Sequence, residues 1–437
     1  MIKNPLIFLE LNEINFDIVR LYLEDSPDLF TNFRRLLCLK SIRTSSEKNY
    51  DELEPWIQWA SIHTGKEYKE HLIFRLGDIV GKNETQIFEE VEALGYKVGA
   101  ISPMNAANRL KTPAYFIPDP WTMTPSDNSF WGRALSNAIS QAVNDNARSH
   151  LSFKSLFFLF LGFLKFAKVK NYFLYTKLAV TSIKNPWRKA LILDLFLHDL
   201  HLNLMKKSGP KFSTLFLNAG AHIQHHYFFN ASPLKKRLNL KNPGWYVSCR
   251  KDPLYELLCL YDGIIGDYLD MPDSEFLLAT GLSQKPYDQL KYYYRLNDHG
   301  KFLEKIGIKY KKILPRMTRD FLIEFDSNDD AAYAQKVLTS LKVVSDEKII
   351  FGEIDNRGLS LFVTLTYPHE INSELFIGSE LTKEEFALYP FVSFVAIKNG
   401  MHQEVGFSFF SDGLSAYAPY ELAHVKNLHK IIYSYFL

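Results

Sequence analysis

The chain has 437 residues, with 51 Lys and Arg against 49 Asp and Glu, for a formal net charge of +2 at pH 7. So balanced a charge leaves no electrostatic footprint for DNA or RNA, and no nucleic-acid partner is expected. Three widely spaced cysteines, Cys38, Cys249 and Cys259, form no CxxC pair, which argues against a disulfide framework or zinc knuckle and for a reducing cytoplasm.

The apolar run before Glu10 in MIKNPLIFLELNE is too short for a signal peptide and reads as a first buried strand, 6–11. Glu10, Asn12 and Glu13 close that strand, and their oxygens suit a hard cation or a sugar hydroxyl. Asn12 or Asn15 could equally cap the helix NFDIVRLYLED that follows. In EPWIQWASIHTG (54–65), Pro55 fits the first helical position, so Glu54 stands at the N-cap with its carboxylate favoured by the helix dipole. Trp56, Gln58 and Trp59 follow, ring faces beside amides of the kind a sugar or nucleobase would use; the plainer reading of Trp59 is core.

An amphipathic ETQIFEEVEALG precedes the strand YKVGAIS (96–102). Residues 120–205 read as an inserted helical cap, apolar in its second half. Within 151–180, the uninterrupted apolar run Leu156 to Leu164 is about half of the ~20 residues a membrane span needs. It reads either as a buried helix pair or as an amphipathic helix lying in a membrane interface, which would be peripheral contact at the inner face.

KFSTLFLNAG (211–220) is a strand whose exit carries His222, His225 and His226 at i, i+3 and i+4, one helical face on which neutral imidazoles could share a metal. The helix DPLYELLCLYDGIIGDYLD leads to the strand SEFLLATG (274–281), with Thr280, Ser283 and Gln284 beyond it. Residues 308–372 form a small α+β insertion whose last two strands turn at 356–358. His402 follows a turn between FVSFVAI and EVGFSFF. Strands alternating with helices predict an α/β fold with a mostly parallel central sheet and helices on both faces, one domain over 1–437 with insertions at 120–205 and 308–372. Chemistry is then expected at the carboxyl ends of the strands.

Taken in order, LNEINFD, WASIHTGKEYKEHLI, AHIQHHYF, LLATGLSQ and NGMHQEVGF resemble the alkaline phosphatase superfamily, in particular its type I phosphodiesterase/nucleotide pyrophosphatase branch; LYDGIIGDYL resembles the helix that precedes the DHG motif there. The resemblance covers most of the chain outside the two insertions. It implies an alkaline phosphatase-like fold and a hydrolase or transferase acting on a phosphate or sulfate ester. His225 and His402 fall on metal-binding histidines of that pattern. Asn12 and Ala221 stand where aspartates belong, Gly281 and Leu282 where DH belongs, and Pro55, beside Glu54, where the nucleophilic threonine belongs.

A two-metal phosphoryl site needs several carboxylates and an oxygen nucleophile, and too few remain. What the resemblance leaves is at most one divalent metal, zinc or manganese, on His225 and His402 with His222, Asn12 or a carboxylate from Glu10, Glu13 or Glu54 to complete it, and none if the site is degenerate. A register slip of one or two residues would let Glu13 or Gln284 stand in for a lost ligand. Glu54 would replace the nucleophile or activate water. Trp56, Gln58, Trp59, Gln224 and Gln284 would contact a small-molecule or glycan substrate, in envelope glycan or lipid-linked sugar metabolism. The alternatives are a metal-free carbohydrate-active or carbohydrate-binding protein and a catalytically inactive scaffold.

Overall fold

The structure, a computed structural model, describes residues 3–144, 152–316, 319–382, 384–420 and 422–437. Its central element is β1 (Leu6–Leu11), buried at every position. Strand alternation sends Leu6 and Phe8 to one face, where they pack with Trp59, Ile62, Phe88 and Phe436. Ile7, Leu9 and Leu11 go to the other, among Phe16, Leu195, Leu257 and Tyr261. A strand apolar on both sides requires helices on both sides, and that is the arrangement found.

The further strands of this sheet are β2 (Lys40–Ser45), β3 (Val98–Ile101), β4 (Tyr115–Ile117), β5 (Phe212–Leu217) and β6 (Glu275–Ala279), with Val405–Phe410 and Ala423–His424. Among the described residues the order is 423–424, β2, 405–410, β6, β1, β5, β3, β4. Only the 405–410 strand runs against its neighbours; β1 is parallel to both β5 and β6. The α/β class with a mostly parallel sheet therefore holds. Beyond β1 the chain stays clamped between its neighbours, Asn12 N donating to Leu217 O at 3.0 Å and Glu13 N to Thr280 O at 3.1 Å. The loops leaving β1, β5 and β6 thus meet at one point.

Three early helices follow, α1 (Phe16–Asp25), α2 (Thr31–Leu37) and α3 (Pro55–Thr64). Asn15, not Asn12, caps α1, accepting from the backbone N–H groups of Asp17 and Ile18. The 120–205 stretch holds the helices Phe130–Asn144, Phe153–Phe166, Tyr172–Ser182 and Arg188–Ser208. No helix among the described residues is long and apolar enough to cross a membrane.

Residues 287–399 form a compact unit of their own, and the rest of the chain forms another. The smaller unit takes in the 308–372 segment. It carries an antiparallel sheet ordered Glu353–Asn356, Ser360–Thr364, Asp320–Glu324, Lys312–Pro315. The helix Asn328–Ser340 buries Ala331, Ala334, Val337 and Leu338. The turn at 356–358 closes with Arg357 N donating to Ser360 O, and Gly358 takes φ 82°, a left-handed value that favours glycine.

One local expectation changes. His402 does not follow a turn, because the strand Val392–Gln403 runs through Asn399 and Gly400 and includes it. Gly400 is there for close approach: a Cβ would come within 2.0 Å of Gln284 Oε1 and 2.8 Å of Gln224 O. An Asn-Gly pair signals a turn only where nothing presses on the glycine.

Candidate metal centre

The strand ladder of β1 ends at Leu11, and the next two residues turn the chain. Glu13 adopts φ 63°, a left-handed conformation that costs a residue with a Cβ roughly 1–2 kcal/mol. The surroundings hold it there. Its N–H donates to Thr280 O, and its own carbonyl accepts from Gln224 Nε2 at 2.7 Å. The turned backbone directs a carboxylate only 2% exposed into the point where the three loops meet.

Each oxygen of that carboxylate is addressed. Oε1 accepts from Asn12 Nδ2 at 3.0 Å, and Oε2 accepts from Gln284 Nε2. Oε2 also lies 3.1 Å from Nε2 of His225 and 3.1 Å from Nε2 of His402. The two Nε2 atoms are 3.3 Å apart. His225 comes from the helix Ala219–Tyr227 after β5, His402 from the end of the strand Val392–Gln403.

Three ligand atoms at the corners of a nearly equilateral triangle are a test of fit. An ion with bonds of about 2.0–2.1 Å in tetrahedral geometry separates its ligands by about 3.3 Å, and the observed edges are 3.1, 3.1 and 3.3 Å. Without a cation, three lone-pair atoms this close repel unless a ring nitrogen carries a proton inward. Burial opposes the charge of Glu13, yet the two imidazoles hold its carboxyl well below the usual carboxylate range. Burial likewise opposes protonation of His402, and the Glu13 and Glu54 carboxylates outweigh it and raise the pKa. The His402 ring hydrogen-bonds to the Leu53 backbone, and its Nδ1 lies 3.7 Å from Glu54 Oε2. With Nε2 in the triangle, Nδ1 is left for an outer partner, the arrangement usual behind metal-binding histidines.

Glu54 stands at the N-cap of α3 with extended backbone and Pro55 behind it. It makes no side-chain capping bond with that helix, so the carboxylate is turned toward His402 rather than spent on the helix end.

The other sequence-derived candidates sort by contact. Trp59 is fully buried beside Phe8 and edge-on to Phe216, its Nε1 donating to Asn12 Oδ1 at 2.8 Å. Gln58 is buried and donates to Glu52 O at 3.1 Å, and Trp56 Nε1 donates to Phe74 O at 2.9 Å. All three anchor α3 and its flanking loops; Trp59 offers no ring face to a ligand. Gln224 bridges the Asn15 N–H and the Glu13 carbonyl, and Gln284 bridges Glu13 Oε2 and the Ala221 carbonyl. These two brace the centre from behind.

The structure does not bring Glu10, Asn12 or His222 into the triangle. Glu10 lies on the Phe8 side of β1, fully buried, 3.6 Å from His63 Nε2. Asn12 uses its amide as a hub, donating to Glu13 and to Asn218 Oδ1 (2.8 Å) while accepting from Trp59. His222 is exposed, its ring 4.9 Å from that of His226. Of the carboxylates Glu10, Glu13 and Glu54, Glu13 is the one that completes the triangle. The group of Glu13, His225 and His402 is the one cluster with metal-ligand spacing among the described residues. Strand alternation could not point to Glu13, because it lies past the strand end in a left-handed turn.

No family model and no curated protein matches the chain. Similar solved structures include phosphonoacetate hydrolase from Sinorhizobium meliloti, at 11% identity and TM-score 0.40 over 100% of this chain and 96% of that one. Murine ectonucleotide pyrophosphatase/phosphodiesterase 5 matches at 10% identity and TM-score 0.39 over 99% and 95%. The alkaline phosphatase of the Antarctic bacterium TAB5 matches at 9% and 0.41 over 99% of each chain. All three are members of the superfamily that the motif order resembles. Likenesses at such scores decide nothing about a reaction.

Proposed function

We propose that the protein is a hydrolase or transferase of a phosphate- or sulfate-bearing ester that binds one divalent ion on Glu13, His225 and His402. The observation that carries this reading is the triangle of ligand atoms with edges of 3.1–3.3 Å. Two imidazoles and one carboxylate form a three-ligand set of the kind used in catalytic sites that keep further positions open. That donor set suits zinc or manganese better than calcium or magnesium, which prefer all-oxygen shells. The ester class comes from the motif order in the sequence, and a sugar phosphate on a lipid or envelope glycan is the member of that class we favour, because of the apolar helices at 153–182.

A bound ion would supply Lewis-acid polarisation of the ester oxygen. The chain's own contributions are distinct from that. Asn12, Gln284 and the strained Glu13 backbone fix the ligand triangle before any ion arrives. Glu54, beside the position where a nucleophilic hydroxyl is missing and 3.7 Å from His402 Nδ1, is the carboxylate we assign to take a proton or attack. The metal-free glycan cleft loses support because Trp59, Gln58 and Gln224 are engaged within the protein.

The test is elemental mass spectrometry on protein purified without chelator or immobilised metal. About one equivalent per chain is expected, falling to background in His225→Ala/His402→Ala with circular dichroism unchanged, followed by a screen of phosphodiesters, phosphomonoesters and sulfate esters. Metal absent from the wild type, or retained by the double variant, overturns the assignment.

A further inference from the structure

We propose that the outward faces of the helices Phe153–Phe166 and Tyr172–Ser182 form a docking surface for an anionic lipid bilayer. The inward faces are fully used. A Cβ at Gly162 would come within 2.6 Å of Leu135 Cδ2. Phe163 stacks on Tyr172 at 5.3 Å and meets Tyr175 edge-on at 4.8 Å, and Phe166 meets Trp131 at 5.5 Å. The two helices are therefore seated on the protein, and their outer side is a separate feature.

That outer side is apolar at helical spacing. Phe153, Leu156, Phe157, Phe160 and Leu164 follow i, i+3, i+4, i+7 and i+11, and are between 51% and 93% exposed. Phe173 and Val180 on the second helix and Ile183 at its C-cap are likewise 66–85% exposed. Water-soluble surfaces rarely leave so many large apolar side chains in one patch without an interaction to serve.

Charge decides the occupant. Residues 152–193 contain seven Lys and one Arg and not one Asp or Glu. Lys168 and Lys170 are taken by Asp267 at 2.9 and 2.8 Å and Arg188 by Glu256 at 2.7 Å, while Lys154 and Lys177 on the two helices, and Lys184 and Lys189 after them in the chain, lie exposed. A second copy meeting this face about a two-fold axis would set like charge against like. An anionic bilayer accepts both components, apolar side chains below the headgroups and lysines at their level. The 14-residue first helix is about 21 Å long, so it lies in the interface and does not cross it. This inference stands on exposure and charge and does not depend on the metal centre.

Vesicle flotation tests it with the full chain, using phosphatidylcholine alone and phosphatidylcholine with one third phosphatidylglycerol. The wild type is expected to float with the anionic vesicles and to partition about tenfold less onto neutral ones or in high salt. Phe157→Ser/Phe160→Ser and, separately, Lys154→Glu/Lys177→Glu should each lower anionic partitioning about tenfold or more while Tm and metal content stay unchanged. A wild type that stays with the soluble fraction, or variants that float undiminished, overturns the proposal. So does a concentration-dependent dimer in sedimentation velocity that Phe157→Ser/Phe160→Ser abolishes, which would assign the face to a second copy.

Discussion

Glu54 stands beside the position where a phosphoryl-transfer enzyme of the resembled pattern has a hydroxyl, and Asn12 where it has an aspartate, and both residues make sharp predictions. Glu54→Gln keeps shape and removes the carboxylate; turnover of whichever ester the screen identifies is expected to fall by about 10²- to 10⁴-fold with metal content held at the wild-type value. Unchanged turnover would make Glu54 a bystander to His402. Asn12→Asp supplies the residue of the resembled pattern, yet its consequence here is set by the neighbours. The amide donates to Glu13 Oε1 and Asn218 Oδ1 from a side chain 1% exposed. An aspartate there would face two acceptors and add a buried negative charge beside Glu13. Urea unfolding of metal-free protein should show a loss of about 2–4 kcal/mol, offset by added zinc or manganese; an unchanged midpoint in the metal-free state would mean the amide bridge contributes nothing. The residue scale is also where the sequence was least legible. His225 and His402 stood out by motif, but Glu10 and Glu13 could not be ranked, since only the left-handed turn at Glu13 decides which carboxylate reaches the imidazoles.

Among elements, α3 is the one on which the site leans, and it is buried almost all round, from Ile57 to Thr64. Ser61 Oγ lies 3.0 Å from His71 Nε2, a pairing that looks nucleophilic until the other ring nitrogen is considered. His71 Nδ1 accepts from the Ile73 N–H at 3.0 Å, so Nε2 carries the proton and donates to Ser61. The pair is a structural clasp between α3 and the short helix Tyr68–His71. Desolvation, the dominant cause, pushes the His71 pKa down to about 4 from 6.5. Between those values the unfolded chain binds a proton that the folded state refuses, so this contribution to stability is whole above the unfolded pKa and is lost as pH falls toward 4. At pH 5 the loss is about 2 kcal/mol relative to neutral pH. His71→Asn retains an acceptor for Ile73 and cannot titrate, so its urea stability should fall less between pH 7 and pH 5 by about that amount. Parallel pH dependence in the two proteins would remove His71 from the account. Elements such as α3 and β1 were readable in advance because Pro55 and the apolar period mark them. The extension of the strand to His402 was not, because the Asn399–Gly400 pair imitates a turn while serving a close approach to Gln284.

At the scale of the molecule, every ligand atom of the centre comes from the larger unit, although the 287–399 unit is spliced into the chain between Gln284 and His402. The smaller unit has its own core, with Phe321 fully buried, 4.8 Å from the His299 ring and 6.2 Å from Phe351. Truncating that ring should cost its unit about 3–5 kcal/mol. If each unit holds its structure by its own core, the loss stays where the cavity is made. Phe321→Ala should then split urea unfolding into two transitions, the earlier one from residues 287–399. Metal content should remain at the wild-type level through the first transition and fall in the second, read by spectroscopic metal release alongside fluorescence. Release of metal in the first transition would mean that the register of the strand carrying His402 is set from the smaller unit. The sequence predicted an insertion at 308–372 from its change of rhythm, and that change is physical: short antiparallel strands alternate polar and apolar, whereas β1, β5 and β6 are apolar on both sides. The flanking strand Ser283–Leu296 mixes the two patterns, which is why the start of the smaller unit could not be read from periodicity alone.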